Sequence, residues 1–328
     1  MAHSARAPLV AGLTVALGLA VIGCPGSVHA QVDYPNKPIT FMVGYPPGGL
    51  SDLTARAIAS AVEKVLKQPV VVLNKPGAAG SLQVALLAQA KPDGYTIGYL
   101  PSTAAVVMPH VENVNYDPLK DLTPIVNLFN YAAALVVRAD APWKTVKEFI
   151  EYARQNPGQV KYGTFGAYGT TTIVMEAWAK DLGVRWDTVP FKSDADAVVG
   201  LLGGHITAAA SASMYAPQVR AGKLRILALM SHDRLPEFPD APRLKDLGHP
   251  LVAEGFIGVV GPKGLPDGIV RKLEDAFAEA SKDTAYQELL KKLALANQFM
   301  RSREFGAFLQ ESYRVQAELI KKSGVTAK

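Results

Sequence analysis

The stretch from Ile39 to Leu66 constrains this chain most. Ile39-Thr40-Phe41-Met42-Val43 alternates and is rich in β-branched and aromatic residues, so it reads as a buried strand. It runs into Gly44-Tyr45-Pro46-Pro47-Gly48-Gly49, a turn built from the two residues that interrupt regular structure most strongly. Ser51 and Asp52 then open a predicted helix. Its apolar stripe, Leu53, Ala57, Ile58, Ala61, Val62, Val65 and Leu66, recurs at steps of three and four. Ser51 suits the N-cap, and Asp52 suits the positive end of the helix dipole. A strand, a glycine turn and a helix start leave several backbone N–H groups unpaired, which is an anion site that needs no lysine. Taken alone, Gly48-Gly49 reads more simply as a tight βα turn.

The same design recurs. Val70-Val71-Val72-Leu73 is expected as a short buried strand, ending in Asn74-Lys75-Pro76-Gly77-Ala78-Ala79-Gly80-Ser81 and an alanine-rich helix to about Ala90. Tyr95 to Leu100 is a third strand, closed by Pro101-Ser102-Thr103. Strand, turn and helix in repetition predict parallel pairing, with the turns gathered at the carboxyl edge of the sheet, where ligands bind in such folds. Gly48-Gly49, Gly77 and Ser102-Thr103 are therefore expected to converge, and convergence favours a site over three unrelated turns. Tyr116 to Phe129, polar and proline-bearing, is expected to be irregular. Later, Val160 to Thr164 enters Phe165-Gly166-Ala167-Tyr168-Gly169-Thr170-Thr171, a turn like the first, and Ser193 with Asp196 caps a further helix.

The chain has 328 residues, 49% of them hydrophobic, enough for two lobes. Residues 1–30 read as a secretory signal: Arg6, then an uncharged run from Leu9 to Ile22, too short to span a bilayer at ~20 residues. Val28-His29-Ala30 is the preferred cleavage site, and Val21-Ile22-Gly23-Cys24 is a competing lipoprotein-like box. Residues 31–132 with 251–328 are expected to form the first lobe and 133–250 the second, hinged on strands near 132–138 and 255–260. Cys24 is the only cysteine, so the exported chain is expected to lack thiols and cysteine metal ligands. The formal charge of +5 is dispersed, and nothing suggests a nucleic-acid surface.

No catalytic set emerges. His110, His205, His232 and His249 are not at metal-ligand spacing, Ser211-Ala212-Ser213 lacks the glycines of a nucleophile elbow, and neither glycine turn completes a dinucleotide or P-loop fingerprint. No cofactor or metal is expected. Asp194 and Asp196 read as capping residues at a helix start.

Tyr34-Pro35-Asn36-Lys37-Pro38-Ile39, Pro46-Pro47-Gly48-Gly49 with Asp52, and Ala55-Arg56 resemble the opening of the Bug/TctC family. These are periplasmic solute-binding proteins of tripartite tricarboxylate transporters. The likeness continues through Asn74-Lys75-Pro76-Gly77-Ala78, Pro92-Asp93-Gly94-Tyr95-Thr96, Val189-Pro190-Phe191-Lys192, Ala221-Gly222-Lys223-Leu224-Arg225 and Gly261-Pro262-Lys263-Gly264-Leu265-Pro266. The resemblance implies an α/β, two-lobed periplasmic-binding-protein fold of the venus-flytrap, type II-like kind, closing on a small carboxylate. It implies a periplasmic, monomeric, non-enzymatic receptor that delivers a dicarboxylate or aromatic acid to membrane transporter subunits. A related reading is a protein that presents the same ligand to a membrane sensor. The implied ligand-binding residues are Tyr45, Pro47, Gly48, Gly49, Asp52, Gly77, Ala78, Ser102 and Thr103 on the first lobe. On the second they are Thr164, Ala167, Tyr168, Gly169, Thr170, Phe191 and Lys192. Two departures fall on the second lobe: Pro190-Phe191-Lys192-Ser193 stands where the family often has Pro-Tyr-Lys-Gly, and Thr170-Thr171-Thr172-Ile173-Val174 lacks a common histidine. If Phe191 faces the cleft, the missing hydroxyl favours a less polar ligand.

Overall fold

The computed structural model describes residues 1–3 and 34–323. Both competing cleavage points, Ala30 and Cys24, lie outside the described residues. Seven elements come first: β1 (Ile39–Val43), α1 (Leu50–Leu66), β2 (Val70–Asn74), α2 (Ser81–Ala88), β3 (Thr96–Pro101), α3 (Met108–Val111) and β4 (Leu122–Ala132). The middle of the chain forms β5 (Ala134–Arg138), α4 (Val146–Gln155), β6 (Lys161–Phe165), α5 (Thr170–Leu182), β7 (Asp187–Phe191), α6 (Asp194–Leu202), β8 (Ala208–Ser211), α7 (Tyr215–Arg220) and β9 (Leu224–Leu229). Last come β10 (Glu254–Pro262), α8 (Asp267–Ala280), α9 (Thr284–Lys292), β11 (Met300–Arg301) and α10 (Ser302–Ser323).

Two sheets result, with helices against them, in a two-lobed α/β fold. The first has the order β11-β4-β10-β3-β1-β2 and the second β7-β6-β8-β5-β9. β1 pairs in parallel with β2 and β3, while β10 runs antiparallel between β3 and β4. Alternation in β1 works as its sequence suggests. Ile39, Phe41 and Val43 enter one core with Ile58, Val62 and Phe277, whereas Met42 joins Leu87, Val107 and Phe305 on the other face. The chain crosses between sheets after β4 and before β10, and the crossovers are tied together. Ala133 N–H donates to Ala253 O (3.0 Å), Met230 N–H to Ala133 O (2.7 Å) and Ala253 N–H to Met230 O (2.9 Å).

Three expectations need correction. Most of the stretch read as irregular, Tyr116 to Phe129, belongs to the eleven-residue β4. Pro124 is tolerated there because it lies beside a register shift between Val259 and Val260, where the ladder needs no donor from it. β2 is an edge strand rather than a buried one, with Val71 54% and Leu73 40% exposed. The N-cap of α1 is Gly49, not Ser51, so the helix starts with no side-chain cap.

Convergence of the first two turns rests on a close backbone approach. A Cβ on Gly44 would lie 2.8 Å from Gly80 Cα and 3.0 Å from Gly80 O, and backbone atoms cannot yield cheaply. Gly44→Ala is expected to cost ~1–3 kcal/mol of stability, read as a lower urea midpoint. Gly268→Ala, where an added Cβ meets nothing within 4 Å, should leave the midpoint unchanged or raise it.

Candidate ligand cleft

The carboxyl ends of β1, β3, β6 and β7 bring the turns of both lobes face to face. A chamber of about 30 Å³ lies between them. Its first-lobe walls are Tyr45, Gly49, Leu50, Ser51, Pro101, Tyr131 and Ile257, and its second-lobe walls are Phe165, Ser193, Asp194 and Ala212. That volume holds a water or two, or the end group of a ligand that extends into the neighbouring space, rather than a whole ligand. The lobes are therefore closed, and they meet at small residues. A Cβ on Gly49 would lie 3.6 Å from Ser193 Cβ, and one on Gly166 would lie 3.4 Å from Ala79 Cβ. Two larger spaces flank these contacts. A vestibule of about 550 Å³ is walled by Gly44, Tyr45, Pro46, the turn Pro76–Gly80, Gly166, Phe191 and Lys192. A side cavity of about 520 Å³ runs past Ala78, Ser81, Glu112, Tyr116, Ala167 and Tyr168.

The first turn is shaped from behind by Asp52. Its Oδ2 accepts the Gly48 N–H (2.9 Å), and its Oδ1 accepts from Asn74 Nδ2 (2.9 Å) and Arg56 Nη2 (2.9 Å). Asn74 Nδ2 also donates to Tyr45 O (3.0 Å), and Arg56 Nη2 to Asn74 Oδ1 (2.8 Å). Gly48 adopts φ +82°, which favours glycine. The Gly48 N–H, expected to face a ligand, is thus used internally. What remains for an anion are the N–H groups of Gly49, Leu50 and Ser51 at the uncapped start of α1, and all three residues line the chamber. Burial alone would raise the Asp52 carboxyl. The Arg56 guanidinium, the Gly48 N–H and the Asn74 amide outweigh it and hold the group below its ordinary 3.8.

The other expected residues separate into those on the walls and those behind them. Tyr45 and Gly49 line the chamber; Tyr45 donates to Ala79 O (3.0 Å), which joins the first two turns. Gly77, Ala78, Phe191 and Lys192 line the vestibule, and Ala167 and Tyr168 the side cavity. Pro47 and Gly48 are exposed at the turn tip. Ser102 is buried and shares a hydrogen bond with the Tyr131 hydroxyl (3.1 Å), while Thr103 is buried in the π-helical turn that follows β3. Thr164 is buried and bonded to Thr171 (2.8 Å) and Thr172 (3.2 Å). Gly169 and Thr170 form the start of α5, which also has no side-chain cap, and the buried Thr170 hydroxyl has no partner. The Phe191 ring packs inward: a Cβ on Gly200 would be 2.7 Å from its Cζ, and one on Gly163 3.1 Å from its Cε2. The residue lines the vestibule, but Cζ, the atom that would carry a tyrosine hydroxyl, is turned toward Gly200 and the second-lobe core.

Sequence reading missed Leu50, Ser51, Pro101, Tyr131, Phe165, Ser193, Asp194, Ala212 and Ile257 on the chamber walls. Asp194 is not a cap. Its carboxylate accepts three successive N–H groups, from Ala212 (3.1 Å), Ser213 (3.0 Å) and Met214 (2.9 Å). A signal for Ser193 and Asp194 was present, since they follow a strand end as Gly49 and Ser51 do. Tyr131 and Ile257 sit on the long strands near the crossovers, and no local motif marks them.

The Asp52 cluster yields a signed pH prediction. Asp52→Asn should destabilise the fold by ~1–2 kcal/mol at neutral pH. That is less than three charged hydrogen bonds would suggest, because Arg56 is half exposed and the amide oxygen still accepts one bond. The folded-state pKa is depressed, so the wild-type advantage is present above the unfolded value. It should vanish as pH falls through the folded one, below 3.8. Paired urea melts down the pH scale measure this.

Comparison with known proteins places this architecture. Residues 54–325 match the profile of the "Tripartite tricarboxylate transporter family receptor". A relative from Cupriavidus necator, the UPF0065 protein in the gbd 5′ region, is 38% identical over 96% of this chain and 95% of its own. Among solved structures, the periplasmic binding protein BugD superposes with a TM-score of 0.84 at 28% identity, covering 90% of this chain and 100% of that one. MatC from Rhodopseudomonas palustris with bound malate superposes with a TM-score of 0.81 at 25% identity, covering 88% and 100%. The family and these neighbours are binding proteins rather than enzymes. The chain belongs to the tripartite tricarboxylate transporter receptor family.

Proposed function

We propose that this protein is a periplasmic receptor that captures a small carboxylate between its lobes and hands it to membrane transporter subunits as a monomer. The observation that carries this reading is the uncapped start of α1. Gly49, Leu50 and Ser51 present unpaired N–H groups to a chamber walled by both lobes and, among the described residues, free of lysine and arginine. Among the described residues, strand membership of the two sheets supports a first lobe of residues 34–132 with 251–323 and a second of 133–250. One carboxylate sits against the α1 start, with Tyr45 and Tyr131 beside it, and the remainder of the ligand extends toward the vestibule. MatC, with its bound malate, supports the chemical class.

A thermal-shift screen over mono-, di- and aromatic carboxylates tests the class. A ligand at 100 times its Kd should stabilise the fold by ~2.7 kcal/mol, and a folded protein that responds to none of them would overturn the reading. Two substitutions test the place. Gly49 has φ −82°, which any residue adopts, so Gly49→Ala should fold and bind much as wild type. Gly49→Val should fold but lose at least ~tenfold in affinity, because its methyls cover the N–H groups and push on Ser193. Affinity should change little from low salt to ~0.5 M, since the chamber offers dipoles rather than an ion pair. A hundredfold loss would instead implicate Lys192, the one cation on the vestibule wall.

A further inference from the structure

We propose that the receptor takes up its carboxylate together with one proton, and that Asp194 holds that proton across the chamber from the α1 start. The inference rests on the carboxylate reading of the cleft. Asp194 is 5% exposed and, among the described residues, is the one acid on the chamber walls, which carry no lysine, arginine or histidine. Three backbone N–H groups, the Ser211 hydroxyl and the start of α6 sustain its charge. A ligand carboxylate at Gly49–Ser51 puts a second anion into the same water-poor space. Two carboxylates sharing such a space do not both stay ionised.

The proton comes from solvent, and the charge balances: one anion and one proton enter, leaving the site's net charge unchanged. Oδ2 accepts two N–H groups and Oδ1 that of Ala212, and the Ser211 hydroxyl also lies within hydrogen-bonding reach of the carboxylate, so Oδ1 is the less committed oxygen. Protonated there, Asp194 donates its O–H toward a ligand oxygen. No other group on the elements around it substitutes. Tyr131 from β4 is pushed up to about 12 by burial, with a contribution from the Asp194 charge, and Tyr215 from α7 is raised further. Both are neutral phenols at ordinary pH. Ser211 carries only a hydroxyl. On the adjoining chain, Asp196 is exposed and bonded to Ser193 (2.9 Å), and Lys192 is exposed and faces the vestibule. Burial pushes the Asp194 carboxyl up against the pull of its N–H partners and the Ser211 hydroxyl, and a second anion acts in the same direction as burial.

Calorimetric titration with acetate, malate, adipate and benzoate tests this, run from about pH 6 to about pH 9 in paired buffers of small and large ionisation heat. For whichever probes bind wild type, uptake should approach one proton between the free and loaded pKa values of Asp194. Affinity should fall about tenfold per pH unit across that interval. Asp194→Asn should bind the same probes with no uptake and a flat pH profile. Binding without uptake and without pH dependence overturns the proton proposal but leaves the carboxylate reading standing. Uptake that survives in the variant assigns the proton elsewhere and also overturns it. Binding of none of the four overturns both. The asparagine amide would face the Ser213 and Met214 N–H groups, so the variant is checked by circular dichroism. Should it fail to fold, the wild-type buffer comparison decides alone.

Discussion

The shape of the cleft floor depends on one buried carboxylate, that of Asp52. It draws donors from three segments that would otherwise be independent: the turn after β1, the end of β2 and the second turn of α1. An acid at this position of a helix commonly reaches back to the N–H of the N-cap residue. Here it reaches one residue further, to Gly48, and the cap itself is a glycine with no side chain to offer. The helix start is thus braced yet uncapped. Its remaining N–H groups stay free for an anion, and the turn that presents them stays rigid.

The second lobe uses an aspartate differently. Three successive N–H groups after β8 form a concavity suited to an anion, and Asp194 fills it. That place is therefore closed to a ligand, and the protein's own charge faces the chamber instead. The lobes are complementary rather than equivalent, one offering positive dipole ends and the other a negative group. An anionic ligand is accommodated only where the first outweighs the second, which makes the protonation state of Asp194 part of the recognition.

Much of this was legible in the sequence, and the limits have physical causes. The βα rhythm gave the parallel β2-β1-β3 core, because Ile39, Phe41 and Val43 against Met42 is a period-two pattern that local chemistry enforces. The first turn was legible because glycine and proline restrict backbone angles wherever they stand. β4 was missed because Pro124 signals a break unless the register shift opposite it is known, and that shift is a tertiary fact. The burial of β2 was overestimated because three valines and a leucine do not reveal whether a strand has one neighbour or two. Asp194 was read as a cap because its partners lie about twenty residues away, at 212–214. The Phe191 ring could not be placed without Gly163 and Gly200, the two absent side chains that make room for it.

Closure itself has an apolar component. Phe165, Ala212 and the partly buried Met214 of the second lobe pack against a core that is otherwise the first lobe's, and Ile173 of α5 joins Ile320 of α10. Leu319 on α10 touches the cores of both lobes. Burying apolar surface favours the closed state even when the chamber is empty. A ligand cannot then be credited with the whole free energy of closing; it contributes only the difference between closed-loaded and closed-empty states. The crossover hydrogen bonds among Ala133, Met230 and Ala253 link the segments that pass between the two sheets to one another. What limits approach is the size of the residues that meet, Gly49 against Ser193 and Ala79 against Gly166. These small contacts let the two walls approach closely, and side chains larger than alanine at Gly49 would meet Ser193 first.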